Sequence, residues 1–248
     1  MSTHKVATRD EWTRACEQLL VKEREHTRRG DELAAQRRAL PRVRIEKQYR
    51  FDTDDGVRTL AELFDGRSQL LVYHFMFGPG YESGCPTNSS IADAIDGLVP
   101  HLNACDATIV LVSGAPIEQL QRYKRRMGWT VPWVSCANGS FNHEIGFSGT
   151  EAETRAWVTP IVAELPAVAS RNARETGTDL AQYLAEGFGF TAFVLEGASV
   201  YQTYATTARG VEFLMSYYAV LDRAPKGRDE GSAFQMWIRR HDEYETAR

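Results

Sequence analysis

The sequence holds no C-x-x-C pair. Its four cysteines stand at 16, 85, 105 and 136, with no cluster of cysteines and histidines among them. Neither a disulfide framework nor a structural zinc site is therefore indicated, and four free thiols in a reducing compartment are expected. Positive charge is also scarce. Lys and Arg number 29 against 33 Asp and Glu, for a formal charge of −4 and a pI near 5.9, so no overall field draws nucleic acid or an anionic membrane surface. The basic stretch RYKRRMG at 122–128 reads as a solvated helix face. Long apolar runs are missing as well: the longest, LLVYHFMF at 70–77, is far short of the ~20 residues that a membrane helix needs. The opening MSTHKVATRDEW has no signal-peptide core. No internal repeat or low-complexity tract occurs. These absences together predict a cytoplasmic protein without nucleic-acid or membrane partners.

What is present is an ordinary globular composition, 43% hydrophobic and 25% charged over 248 residues. Residues 9–39 read as a helical arm, with Asp10 as a candidate cap and Trp12, Ala15, Cys16 and Leu19 recurring at i, i+3, i+4 and i+7. Cys16 reads as a small apolar member of that stripe. The tract 22–38 is so charged that it either lies in solvent or mediates contacts in a homodimer. From 48 the pattern predicts a short strand, a D-D-G turn, a brief helix over TLAELF and a fully apolar strand at 69–77. A helix after Cys85 carries Ile91, Ile95, Leu98, Val99 and Leu102 on one face, with Pro100 expected to kink it. ATIVLVS (107–113) is a second buried strand, and a helix runs from Pro116 to its stop at Gly128. PWVSC (132–136) is a third strand. Residues 150–187 read as helices punctuated by Pro160 and Pro166, and 190–206 as a hairpin with a helix over 210–221 behind it. Strand, helix, strand, helix predicts right-handed β-α-β units on a parallel sheet.

That order, closed by an antiparallel hairpin and a last helix, resembles the thioredoxin fold, whose reactive cysteine falls where Cys85 lies. The expected fold class is α/β, a central mixed sheet flanked by helices. The expected organisation is an arm at 1–45, a thioredoxin-like domain at 46–222 with a helical insertion at about 148–189, and a surface tail at 223–248. In FMFGPGYESGCPTNSS (75–90) an apolar strand end passes through a glycine-rich turn to Cys85 and straight into a helix. At a helix N-terminus the unpaired N–H groups and the macrodipole stabilise a thiolate. The position three residues on holds Asn88, an amide that can hydrogen-bond but cannot attack a mixed disulfide. Cys105 is no substitute, since the intervening helix would hold it roughly 20–30 Å away. Cys136 stays open as a partner.

The segments YHFMFGPGYESGCPTNS, YKRRMGWTVPWVS, FN (141–142) and PKGRDEGSAFQMWIRRHDEY resemble a bacterial family of thioredoxin-like proteins of unknown function, some labelled dithiol-disulfide oxidoreductases. The likeness spans about 10–145 and 190–244. Members look like G-C-P-S-C-S at the active turn, where this chain has G-C-P-T-N-S, and His143 stands where an aromatic residue is expected. The triplet C-P-T also resembles the peroxiredoxin turn. Those enzymes place a threonine three residues before the cysteine, and the Glu82 carboxylate found here would repel a peroxide-bound thiolate.

The candidate catalytic residues are therefore Cys85, His74, Asn88 and Glu82, with Tyr81, Trp133 and His143 as candidate substrate contacts, because strand ends and helix starts of a parallel sheet converge on one crevice. His74 or His143 would serve as base. A histidine on an apolar strand reads equally as a hydrogen-bonded core residue, and Trp129, Trp133 and Phe141 as core aromatics. No cofactor is required, although Cys with His suits copper. The function expected is a single reactive thiol acting on a disulfide, a peroxide or an electrophilic small molecule, with a thiol protein or small molecule as partner. The alternatives are a non-redox enzyme or a copper or ligand binder on the same scaffold, and then a structural interaction protein.

Overall fold

The computed structural model describes residues 5–231 and 233–245. The chain divides into two units, one ending at Pro41 and the other beginning at Arg42. The first is the helix α1 (Arg9–Arg38). Its cap is Thr8 rather than Asp10: the Thr8 hydroxyl accepts the Glu11 N–H and the Glu11 carboxylate accepts the Thr8 N–H, a reciprocal capping box. Asp10 instead sits in the first turn, where the helix dipole favours an acid.

The second unit is built on one mixed sheet. Its elements in chain order are β1 (Val43–Arg44), β2 (Arg50–Thr53), β3 (Gly56–Thr59), β4 (Gln69–His74), α2 (Pro86–Asp96), α3 (Val99–Ala104), β5 (Ala107–Ser113), α4 (Ile117–Met127) and β6 (Trp133–Ser135). There follow α5 (Phe141–Glu144), α6 (Glu151–Ile161), α7 (Ala167–Glu175), α8 (Leu180–Ala185), β7 (Gly189–Glu196), β8 (Ser199–Thr207) and α9 (Ser216–Leu221). The strand order is β1-β8-β7-β4-β5-β6-β2-β3, with β4, β5 and β6 parallel and β7 antiparallel to both β4 and β8. The central run β8-β7-β4-β5, a β-α-β unit joined to a β-hairpin whose first strand lies antiparallel beside β4, is the thioredoxin arrangement. Residues 43–44 already pair with β8, so strand pairing of this unit begins inside the segment expected as arm.

Both faces of the sheet are covered, which is why the two central strands read as unbroken apolar runs. All seven residues of β5 are buried. Alternation divides them: Ile109 and Leu111 join the core that contains α2, whereas Val110 and Val112 join the core on the opposite face. β4 divides likewise, with Tyr73 on the α2 side and Leu70 and Val72 on the other.

Several boundaries differ from expectation for identifiable reasons. The strand stops at His74 rather than residue 77. Phe75 and Phe77 keep single backbone bonds, the Phe75 N–H to the Val112 carbonyl and the Phe77 carbonyl from the Ala115 N–H, as the chain lifts toward Pro79. The helix after Cys85 is not kinked but broken at Gly97–Leu98. Pro100 has no N–H to continue the ladder and instead opens the first turn of α3. Of the helix expected over 210–221, residues 208–214 wind as a 3-10 segment and only Ser216–Leu221 is α-helical. The C-terminal tail does more than coat the surface, since Ile238 is fully buried and Arg240 is only 3% exposed.

Candidate functional site

Pro86 opens α2, and Cys85 is its cap residue, with φ −56° and ψ 129°. Its carbonyl accepts the Ser89 N–H at 2.8 Å, leaving the thiol free to meet other partners. The side chain is fully buried. Sγ lies 3.1 Å from the Tyr183 hydroxyl, and the Asn172 amide Nδ2 approaches it at 3.6 Å. Burial pushes the Tyr183 phenol well above its ordinary range, helped by the neighbouring Cys85, so the hydroxyl keeps its proton and can donate it to sulfur. Arg171 holds the Asn172 amide in register by donating to its Oδ1 at 2.9 Å, which turns Nδ2 toward Cys85. The Arg171 guanidinium is itself buried and tied to the Ile238 carbonyl at 2.6 Å.

The turn before Cys85 is clamped from the tail. Arg240 donates from Nε to the Gly84 carbonyl at 2.9 Å and from Nη2 to the Glu175 carbonyl at 2.7 Å, and its Nη1 pairs with Glu243 at 2.8 Å. Gly84 is required here because a Cβ would stand 2.6 Å from the Tyr123 ring.

The structure gathers only some of the residues expected at this site. Asn88 is buried on the first turn of α2, but its Oδ1 accepts from the Tyr73 hydroxyl at 2.9 Å and the Met76 N–H at 3.3 Å rather than contacting sulfur. Tyr81 is buried and supports Tyr183: its hydroxyl donates to the Tyr183 carbonyl at 2.6 Å and the two rings stack 6.1 Å apart. Glu82 is exposed, its N–H bonded to the Thr176 carbonyl, and its side chain borders a small surface pocket with Arg122 and Arg126. Trp133 is core, its indole N–H bonded to Ser113 Oγ at 3.0 Å and its rings packed on Phe75, Phe77 and Trp129.

Neither histidine is placed to act as base for the thiol. His74 follows Tyr73 on β4 and therefore faces the opposite side of the sheet, stacked 3.9 Å from Phe147, with Nδ1 against Asn142 and Nε2 against Thr191. Burial lowers it to about 4, so it is neutral. His143 is exposed and bonded to the Ser148 carbonyl. A copper pair of Cys85 with His74 is not formed, and among the described residues no group of three or more His, Cys, Asp or Glu side chains could hold a metal ion. Cys136, left open as a second thiol, donates to the Ser113 carbonyl at 3.3 Å, and burial pushes it up to about 12. Cys105 is exposed at the end of α3, and all four cysteines are free.

Tyr183 and Asn172 were not anticipated. Both come from the helical insertion, α8 and α7. The one legible signal was the capping box in which Asp179 accepts the Gln182 N–H, which starts α8 and so aims Tyr183 inward. A cavity of about 280 Å³ adjoins this cluster, walled mainly by apolar side chains, with Thr87, Asn88, Asn172 and Tyr183 among its polar lining.

The profile of the family described as "Bacterial protein of unknown function (DUF899)" matches residues 1–244. The chain belongs to that family. No curated protein matches it. Among solved structures this family member is similar to a PrxQ mutant of Xylella fastidiosa, at 12% identity and TM-score 0.40, covering 69% of this chain and 88% of that one. It is similar also to peroxidoxin BcpB of Mycobacterium tuberculosis, at 12% identity and TM-score 0.42 over 68% and 90%. A third is a hypothetical protein of Sinorhizobium meliloti 1021, at 13% identity and TM-score 0.36 over 65% and 67%. Among the described residues, no helix of this family member is long and apolar enough to cross a membrane.

Proposed function

We propose that this chain acts through the single thiol of Cys85 on a small molecule admitted by the adjoining cavity, an electrophile of the peroxide, small-disulfide or activated-carbon class. The observation that carries this reading is the 3.1 Å contact of Sγ with the Tyr183 hydroxyl at the N-terminus of α2. Sγ sits at the start of a helix with the Tyr183 hydroxyl and the Asn172 amide in reach, the surroundings that a reacting sulfur needs. Because the thiol is closed to bulk solvent, a small molecule fits it better than a protein disulfide does. With Asn88 in place of a second sulfur, a covalent product at Cys85 is not resolved within the chain. A second reading, a ligand binder in which Cys85 only packs, is favoured by one fact: sulfur lies behind the side chains that line the cavity.

Residue-resolved mass spectrometry of the native protein separates the two, with the exposed Cys16 and Cys105 as internal controls. Methyl methanethiosulfonate, small and neutral, should modify Cys85 near pH 6 at least as fast as the exposed pair, while the bulky dianion dithiobis(nitrobenzoate) should not. Tyr183→Phe should slow the reaction at Cys85 by about tenfold, the worth of one hydrogen bond to a charged group. If Cys85 reacts only after denaturation, the ligand-binder reading replaces this one.

A further inference from the structure

The cavity beside Cys85 carries one donor that the protein does not use. Asn88 is only 2% exposed and sits in the cavity wall. The orientation of its amide is fixed, because the Met76 backbone N–H can only donate and so must face Oδ1; the Tyr73 hydroxyl donates to the same oxygen. Nδ2 is thereby turned away from both, and among the described residues it has no acceptor. A donor in a cavity wall with no acceptor of its own is available to a ligand or a water in that cavity.

Two other amides of the wall already have partners. Asn172 Nδ2 is shared by Cys85, Thr87 and Tyr183, and Gln235 Nε2 rests 3.7 Å from Met215 Sδ. Glu212 Oε1 makes no hydrogen bond, but the carboxylate is ion-paired, with Arg209 Nε 2.9 Å from Oε1 and Arg228 Nη1 3.8 Å from Oε2. No unpaired charge therefore awaits a charged ligand.

We infer that the cavity binds a small neutral molecule with an apolar body and one terminal hydrogen-bond acceptor of the carbonyl type, held by Asn88 Nδ2. The volume of about 280 Å³ lies just under the ~300–1,000 Å³ of sites for drug-sized ligands, so the body is no larger than one ring or a short branched chain. Asn88 then occupies the resolving-thiol position as a recognition group, an amide reading a carbonyl. This deepens the reading of the same site but depends on the cavity alone, not on reactivity of the thiol.

The test uses the full-length Cys85→Ser protein, in which binding is measured without thiol chemistry, so a failure here and a failure of Cys85 to react are separate results. The probes are acetophenone and α-methylstyrene, which share size and shape but differ in C=O against C=CH₂. Titration followed by NMR should show acetophenone binding at least tenfold more tightly and shifting the Asn88 side-chain amide resonance, with α-methylstyrene leaving that resonance in place. Asn88→Asp keeps the acceptor for Tyr73 and Met76 while removing the donor, and should abolish the preference. Equal affinities, an acetophenone site whose shifts exclude Asn88, or no binding of either probe at millimolar concentration would each overturn the inference.

Discussion

Tyr73 and His74 are neighbours in sequence, yet alternation sends one to the core beneath Cys85 and the other to the opposite face. One step along a strand thus removes histidine from the thiol and supplies a phenol that holds Asn88. His74 also has a titration partner in effect, though not in contact. Glu186, just before β7, packs its carboxyl against the backbone of Gly78 and Gly114, where a Cβ at Gly114 would stand 2.7 Å from Oε1. Its Oε2 has no partner, and burial raises the carboxyl to about 7. A folded-state value above the unfolded one means that this contribution is full below about pH 4.5 and is lost as pH rises through about 7. His74, lowered from 6.5 to about 4, has the opposite sign: its contribution is full above 6.5 and is lost as pH falls through about 4. Between those values the two offset each other. Glu186→Gln removes the first and keeps the second, so its stability at pH 8 should exceed the parent's by something of the order of 1–3 kcal/mol, with the gap closing at pH 4.5. Urea unfolding at the two pH values measures this; an equal offset at both would show that Glu186 is not the group responsible.

At the scale of elements, legibility followed burial. β4 and β5 were readable as strands because parallel strands covered on both faces have no polar side to blur the signal. α4 was readable from end to end, since Pro116 can cap a helix and Gly128 can close one at φ 65°. The insertion was not. The segment reads only as mostly helical, and nothing local says that the short α8 lies over Cys85, because that placement is made by long-range contacts such as Tyr81 with the Tyr183 carbonyl. The tail behaves similarly. Arg240 reads as one more surface cation, and only the folded chain reveals it as the clamp on Gly84 and Glu175. Arg240→Met keeps much of its bulk while leaving the Gly84 and Glu175 carbonyls without their donor and Glu243 with Arg126 alone, and should cost about 2–4 kcal/mol. The loss should concentrate at the turn before Cys85, so hydrogen exchange at residues 82–89 should rise more than in β5. Uniform acceleration across the sheet would argue against a local clamp.

For the whole molecule, the division at Pro41–Arg42 predicts where the chain first yields to protease. Residues 39–44 are exposed and rich in arginine, whereas the sheet beyond them is covered on both faces. Limited trypsin digestion should release a resistant fragment beginning between residues 39 and 45; a first cut between β4 and β5 would contradict that division. The sequence by itself determined the α/β class, the strand–helix–strand rhythm and the position of Cys85 at a helix start, because these follow from periodicity and from proline and glycine acting over a few residues. Only the tertiary structure decided what surrounds the sulfur. Tyr183, Asn172, Arg171 and Arg240 arrive from segments far along the chain, and which side chains meet across such distances is set by packing, which no local pattern encodes.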